Sequence, residues 1–126
     1  MVVKIGIVGT RTRDTNKDLV TVKVALIELV TPIDENQDIH IISGGCTKGG
    51  DRFAEHIAKW YHIPITIYPA QWHKYGKKAG AIRNKQIAEE SDYLIACVSE
   101  DRKGGGTEIT INEFIKRKGK DKLIIV

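Results

Sequence analysis

The feature that most constrains the fold is a regular alternation of short apolar, β-branched runs with segments of helical periodicity. The apolar runs cover residues 2–8, 39–42, 63–68, 93–98 and 123–126. Each run is nearly continuous in hydrophobicity, which is typical of strands covered by helices on both faces. Strict alternation predicts a parallel sheet with right-handed crossovers. We therefore expect one Rossmann-like α/β domain over residues 1–126, with five mostly parallel strands in the order 3-2-1-4-5.

Four of the segments between these runs have helical patterns. The first begins at Thr15 and Asp18, which have the spacing of a capping box. The others are expected over residues 51–61, 79–91 and 107–118. In the first segment a strand is the open alternative, because three of its valines also alternate: Val20, Val22 and Val24.

Composition limits the classes of function. The net charge of +4 suits an anionic ligand without establishing nucleic-acid binding. Cys46 and Cys97 form no CxxC pair, so neither a disulfide framework nor a zinc site is predicted, and Cys97 is expected in the core. The histidines are scattered over separate segments, and we predict no metal and no cofactor: His40, His56, His62 and His73.

The sequence predicts neither a targeting segment nor a membrane-spanning segment. The chain runs straight into a strand pattern without a signal peptide. No apolar run approaches the ~20 residues of a membrane span. We therefore expect a cytoplasmic protein, in a bacterial cell or an infected host cell, with no membrane partner.

The candidate site follows from the sheet. Ligands of open parallel sheets bind outside the carboxyl ends of the strands, so the residues after each apolar run matter most. These residues are mainly small, flexible or cationic. The predicted ligand-binding residues are Gly9, Thr10 and Arg11 after the first run; Ser43, Gly44, Gly45, Asp51 and Arg52 after the second; Trp72, Tyr75, Arg83 and Asn84 after the third; and Gly104, Gly105, Gly106 and Thr107 after the fourth.

Glycine clusters give this edge its predicted chemistry. Residues 44–50 and 104–107 both lead from a strand through glycines into a helix. Glycine lets backbone N–H groups approach a phosphate, and a helix N-terminus adds its unpaired N–H groups and positive dipole end. Thr107 is predicted to cap its helix and to bind a ligand oxygen. Neither cluster is a Walker A loop or a GxGxxG fingerprint, and tight turns are the alternative reason for the glycines.

Four motifs together resemble the SLOG superfamily. They are Gly-Thr-Arg at 9–11, Ser-Gly-Gly-Cys-x-x-Gly-Gly-Asp at 43–51, Arg-Asn-x-x-Ile-Ala-x-x-Ser-Asp at 83–92 and Gly-Gly-Gly-Thr at 104–107. This superfamily joins the DNA-processing DprA/Smf proteins to the lonely-guy phosphoribohydrolases. The chain is most similar to its small stand-alone YspA-like branch, found often in bacteria and phages. The resemblance covers essentially the whole chain and implies a nucleotide-binding fold and, by analogy, a homo-oligomer.

The resemblance is weaker at the positions that the lonely-guy enzymes use for catalysis. Lonely-guy enzymes cut the N-glycosidic bond of a nucleoside monophosphate. Arg83 matches their arginine, Asn84 replaces their lysine, and Thr110 stands where their glutamate would be. Glu108 and then Asp51 are the candidate catalytic carboxylates, acting on an oxocarbenium-like transition state. Their structural alternatives are a first-turn helix acid for Glu108 and an N-cap for Asp51.

The leading functional prediction is binding of a nucleotide or nucleotide-derived small molecule. Such a domain would sense or sequester a signalling or immune messenger, for example an AMP or ADP-ribose derivative. A nucleotide N-glycosidic hydrolase is the alternative. Single-stranded DNA binding, as in DprA, is the second alternative, with Trp72 and Tyr75 stacking bases unless they pack in the core. Its basic residues would be Lys74, Lys77, Lys78, Arg83 and Lys85.

Overall fold

The computed structural model describes residues 2–33, 35–99 and 106–126. Over these residues, strands and helices alternate as the sequence predicts, with ends shifted by one or two residues. The strands are β1 Val2–Gly9, β2 Asp38–Ser43, β3 Ile65–Ile67, β4 Tyr93–Cys97 and β5 Leu123–Ile125. The helices are α1 Asn16–Val30, α2 Gly50–Tyr61, α3 Trp72–Tyr75, α4 Ala79–Glu90 and α5 Gly106–Lys118. Short 3-10 turns lie at Gly76–Lys78 and Lys120–Lys122.

The five strands form one parallel sheet in the order β3-β2-β1-β4-β5, which confirms the predicted fold and strand order. β1 is central: its first half pairs with β2, from Val2 opposite Asp38, and its second half pairs with β4, ending with Gly9 opposite Cys97. The chain leaves β1 toward β2 and returns on the other side to β4. The strand order therefore reverses between β1 and β4, where open α/β sheets bind ligands.

Helices cover both faces of the sheet. Successive strand side chains point to opposite faces, so Ile7 and Val8 belong to different cores. Ile7 packs in a core with Val22 of α1 and Phe53 of α2. Val8 packs in a second core with Ile87 of α4 and Phe114 of α5. Cys97 is fully buried in the first of these cores, as predicted.

α1 is a helix, so the strand alternative for its valines is wrong. The capping box is present: the Asp18 N–H donates to Thr15 Oγ1 over 3.1 Å, and the Thr15 N–H donates to Asp18 Oδ2 over 3.3 Å. Val22 is fully buried, whereas Val20 and Val24 are exposed. Alternation in the sequence here reflects two different faces of one helix, because residues two apart lie almost opposite each other at 3.6 residues per turn.

The polar segment after β3 contains a helix that the sequence pattern does not predict. It forms the short helix α3, followed by the 3-10 turn Gly76–Lys78. Every residue from 71 to 78 is exposed. Trp72 is 58% exposed and Tyr75 is 39% exposed, so the core alternative for these two aromatic side chains is wrong.

Three further properties concern only the part of the chain that the structure describes. None of its helices combines the length and the apolar character that crossing a membrane requires. It contains no group of three histidine, cysteine or acidic side chains placed to hold a metal ion. Cys46 and Cys97 are both free thiols.

Candidate functional site

An open cleft of about 660 Å³ lies at the carboxyl ends of β1 and β4. Its walls come from the end of β1 and the loop after it, the first turns of α2 and α5, and one side of α4. This is the position where the strand order reverses. A volume of this size falls in the range of small-molecule sites, roughly 300–1,000 Å³.

The cleft brings together residues from each of the four predicted groups, which follow β1, β2, β3 and β4 in the sequence. The predicted residues that line it are Gly9, Thr10, Arg11, Asp51, Arg83, Asn84, Gly106, Thr107 and Glu108. Both candidate catalytic carboxylates are in this set. The chain thus gathers cations, hydroxyls and carboxylates around one opening.

The other predicted residues lie elsewhere. Ser43 and Gly44 are buried and do not line the cleft, and Gly45 is exposed beside Ile67 of β3. Trp72 and Tyr75 stand on α3, also outside the lining. Arg52 is hydrogen-bonded to Asp14 and does not line the cleft. Gly104 and Gly105 lie outside the described residues.

The first turn of α5 forms one wall of the cleft. α5 begins at Gly106, so Thr107 lies inside the helix and does not cap it as predicted. Glu108 is also in the first turn, where an acidic side chain complements the helix dipole. The first N–H groups of an α-helix have no intrahelical acceptor, so the cleft borders the positive end of α5.

Arg83 is fixed in the cleft wall by two hydrogen bonds. Its Nη1 donates to the Gly44 carbonyl over 2.7 Å, and its Nε donates to Asn84 Oδ1 over 2.8 Å. The buried Asn84 in turn donates through Nδ2 to the Gly106 carbonyl over 3.0 Å. Asn84 therefore links α4 to the start of α5 and orients the guanidinium beside it.

Asp51 is a partly buried carboxylate that lines the cleft. The N-cap of α2 is Gly49, so the N-cap alternative for Asp51 is wrong. Its Oδ2 instead accepts from the Cys46 N–H over 3.0 Å and fastens the loop after β2. Burial raises the pKa of Asp51, opposed by the hydrogen bond from Cys46 and by the nearby charge of Arg83.

Gly44 explains how Asp51 and Arg83 come so close. A Cβ added to Gly44 would lie 2.7 Å from Arg83 Nη1 and 2.9 Å from Asp51 Oδ2. A side chain at this position would therefore push the two charged groups apart. Gly44 shapes the site although it does not line the cleft.

Gly49 and Gly50 allow the backbone at the start of α2 to pack closely against the backbone at the end of β1. A Cβ on Gly50 would lie 2.2 Å from the Val8 carbonyl carbon, and one on Gly49 would lie 2.6 Å from the Thr10 oxygen. Gly49 also has a φ of +70°, a region that favours glycine. These two glycines let the start of α2 press directly against the end of β1.

Asp14 also joins the loop after β1 to the start of α2. Its Oδ1 accepts from the Gly49 N–H over 2.7 Å and from Arg52 Nε over 2.7 Å. Arg52 Nη2 donates to the Asp14 carbonyl over 2.8 Å. The hydrogen bond from Arg52, together with that from Gly49, lowers the pKa of Asp14. Gly49 belongs to the glycine cluster that the sequence predicted to bind a phosphate. Its N–H is instead hydrogen-bonded to an acidic side chain of the protein itself.

Six further residues line the cleft that were not among the predicted site residues: Val8, Thr12, Cys46, Ile87, Ser99 and Thr110. Thr12 and Ser99 each lie within three residues of a strand end, so the rule that found Gly9 and Arg11 also points to them. Val8 and Ile87 carry no polar signal and are typical core residues. Thr110 is buried inside α5, where its hydroxyl donates to the Gly106 carbonyl over 3.2 Å.

Comparison with protein-family models, with curated proteins and with solved structures finds no significant match to this chain. The SLOG resemblance therefore stays a prediction from the four motifs.

Proposed function

We propose that the cleft binds a nucleotide or nucleotide-derived small molecule through its phosphate. The observation that carries this proposal is the meeting of three groups at one opening: the start of α5, Arg11 and Arg83. A helix N-terminus and guanidinium groups both favour an anion with several oxygen acceptors. Phosphate has this chemistry.

The bonding of Arg83 supports an anion-binding role. A guanidinium carries five N–H donors in a fixed plane. Two donors of Arg83 are used by Gly44 and Asn84, which leaves three within the described residues. Because the two bonds fix the plane, the remaining donors are oriented before a ligand arrives. Preorganised donors bind an anion more tightly than a freely rotating side chain.

The rest of the lining suits the other parts of a nucleotide. The hydroxyls of Thr10 and Ser99 line the cleft and can bond to ribose. A domain with such a cleft would sense or sequester a nucleotide-derived messenger, such as an AMP or ADP-ribose derivative.

Hydrolysis of an N-glycosidic bond is the second candidate function. It is favoured by one observation: Asp51 and Glu108 line the same cleft. A carboxylate beside ribose C1′ would stabilise positive charge at that carbon and guide the attacking water. Incubation with nucleoside monophosphates, NAD and ADP-ribose, followed by chromatography, tests it. Release of a free base supports hydrolysis, and intact ligands in every case exclude it for these compounds.

Calorimetry with matched ligands tests the binding proposal. The panel is AMP, ADP, cyclic AMP and ADP-ribose, with adenosine as the control that lacks only the phosphate. We expect at least one phosphate-bearing compound to bind much more tightly than adenosine. A ligand at a hundredfold excess over its Kd should stabilise the fold by about 2.7 kcal/mol in a thermal-shift assay.

Two results would overturn the proposal. One is that no member of the panel binds or raises the melting temperature. The other is that adenosine binds as tightly as AMP, because the phosphate would then contribute nothing.

A further inference from the structure

Trp72 is an exposed tryptophan at the start of α3. Its side chain is 58% exposed, although tryptophan is on average a highly buried residue. It does not line the cleft, so the groups that bind the phosphate do not include it. The folded chain leaves most of this large flat ring uncovered.

Trp60 on α2 is the other tryptophan, and it provides a comparison. It is 65% exposed, but its ring already has partners within the chain. Lys23 Nζ lies 5.1 Å from the ring centre, and the His56 ring stacks with it at an angle of 11° between the two planes. Among the described residues, no cation and no aromatic ring lies over Trp72 in this way. Of the two exposed rings, Trp72 is therefore the one available for stacking with a ligand.

The Trp72 ring lies on the face of α4 that also carries Arg83. A Cβ added to Gly80 would be 3.5 Å from Trp72 Cη2, so the edge of the ring lies close to the helix at this glycine. Gly80 precedes Arg83 by three residues and Ile87 by seven, and residues at this spacing share one stripe of a helix. Arg83 and Ile87 line the cleft. Trp72 therefore stands at the end of the stripe that forms one wall of the cleft.

The direction of α4 places Trp72 at the outer rim of this wall. The chain leaves β3 at the carboxyl edge of the sheet and passes through α3 before α4 begins. α4 thus starts at the edge where the cleft opens and runs toward the opposite edge, where β4 begins. Gly80 precedes Arg83 by about 4.5 Å along the helix axis, at 1.5 Å per residue. The ring at Gly80 therefore lies almost one helical turn farther out than the backbone of Arg83.

We propose that Trp72 stacks on the base of the nucleotide whose phosphate is bound by Arg83 and the start of α5. This inference rests on the proposed function and extends it, because it assigns the base to a residue outside the cleft lining. Ribose separates the base from the phosphate in a nucleotide, so the two ends of the ligand need separate contacts. Trp72 and Arg83 provide these contacts on one face of α4.

A nucleobase is the part of such a ligand that suits Trp72. Base and indole are both flat π-systems, and aromatic rings prefer stacked or edge-to-face contacts. Stacking on an exposed aromatic side chain is open to any base, because every base has a π-face. We therefore expect the site to select a nucleotide over a sugar phosphate that lacks the base.

Calorimetry with AMP and ribose 5-phosphate tests the proposal, because these ligands share the ribose phosphate and differ in the base. We expect Trp72→Ala to weaken AMP binding by about 5- to 150-fold, the range of base–aromatic stacking, and to leave the affinity for ribose 5-phosphate unchanged. Trp72→Phe should retain most of the AMP affinity, since phenylalanine can also stack. The matched control is Trp60→Ala, which removes a similarly exposed tryptophan and should change neither affinity.

Fluorescence reports the stacking itself. In Trp60→Phe the only tryptophan is Trp72. AMP should quench or shift its emission with the same Kd that calorimetry gives, and ribose 5-phosphate should leave the emission unchanged.

The results also separate this inference from the proposed function. If AMP binds equally well to the unchanged protein and to Trp72→Ala, the inference is wrong and the phosphate site stands. An equal loss of affinity for AMP and ribose 5-phosphate in Trp72→Ala also overturns it, because Trp72 would then act only on the position of Arg83. If neither ligand binds the unchanged protein, the phosphate site itself is wrong and the inference fails with it.

Discussion

The starts of α2 and α5 are both glycine-containing helix N-termini at the carboxyl edge of one sheet. At the start of α2, Gly49 and Gly50 press against the backbone of β1, and Asp14 accepts from the Gly49 N–H. At the start of α5, Gly106 and Thr107 line an open cleft. The sequence makes the two regions look alike, but one is closed by the protein itself and the other is open to a ligand.

The contrast shows that glycine at a helix start has two different uses. In the closed junction, the missing side chain allows contact between two backbones. At the start of α5, the missing side chain makes room for Asn84, because a Cβ on Gly106 would lie 3.0 Å from Asn84 Nδ2, while the cleft beside it stays open. Arg52 and Arg83 divide in the same way, since Arg52 is bound to Asp14 while Arg83 retains free donors within the described residues.

The largest expected effect is a loss of stability at the closed junction, the contact of Gly49 and Gly50 with the end of β1. Gly50→Ala would place a Cβ 2.2 Å from Val8 carbonyl carbon and 2.3 Å from the Gly9 nitrogen. Since backbone atoms on both sides must move, we expect a loss of about 3 kcal/mol or more in the free energy of unfolding. Urea denaturation measures it. A loss below about 1 kcal/mol would show that the junction is loose, because real overpacking costs at least that much.

The next effect concerns the open cleft. Arg83→Ala should weaken binding of a phosphate-bearing ligand about 10- to 100-fold, the value of a charged hydrogen bond of about 1.5–3 kcal/mol. The matched control is Lys85→Ala, on the same helix but exposed and outside the cleft lining. Calorimetry compares the two. Equal losses for both variants would mean that only the overall charge matters.

The pH dependence of stability should have opposite signs in the two regions. Asp51 in the cleft has a pKa raised above its ordinary value of 3.8, chiefly by burial. Its contribution to stability is present below that value and lost as the pH rises through the folded-state pKa. The unchanged protein should therefore lose stability relative to Asp51→Asn as the pH increases from acid toward neutral.

Asp14 in the closed junction should behave in the opposite way. Its pKa lies below 3.8, first because of the hydrogen bond from Arg52. Its contribution is present above the ordinary value and lost as the pH falls through the folded-state pKa. Denaturation of the unchanged protein, Asp14→Asn and Asp51→Asn from about pH 3 to about pH 7 compares them. If both differences from the unchanged protein change in the same direction with pH, the electrostatic contrast is wrong.

The smallest effect tests a glycine that belongs to neither group. A Cβ on Gly80 in α4 would lie 3.5 Å from Trp72 Cη2, an ordinary contact. Gly80→Ala should stabilise the protein by about 0.5–1 kcal/mol, because alanine loses less conformational freedom in a helix. A thermal melt beside Gly50→Ala measures it. Destabilisation at Gly80 would show that the Cβ distance alone does not separate the two kinds of glycine.

Much of the fold could be predicted because periodicity reports burial. The five apolar runs are strands, and the residues that follow them lie together because parallel strands end at one edge. α3 was missed because it is a four-residue helix with every side chain exposed, so no apolar spacing marks it. Val20 and Val24 were ambiguous because α1 has apolar residues on two faces.

The site could be predicted only in part. Strand ends led to Arg11, Arg83 and Thr107, which line the cleft. The sequence could not show that Gly49 and Gly50 face a neighbouring backbone, since a glycine looks the same whether it contacts β1 or a phosphate. It also could not reveal that Arg52 pairs with Asp14, because that contact depends on how the loop after β1 meets α2.

Amide chemical-shift mapping tests the central claim most directly, that the open cleft binds the phosphate of a nucleotide. The ¹H–¹⁵N spectrum of the full chain is followed while AMP or ADP-ribose is added, with adenosine as the control. We expect the largest shifts at Thr10, Arg11, Gly106 and Thr107, with Gly49 little changed, and smaller shifts with adenosine. No saturable shift at the cleft, or shifts confined to residues 71–78, would contradict it.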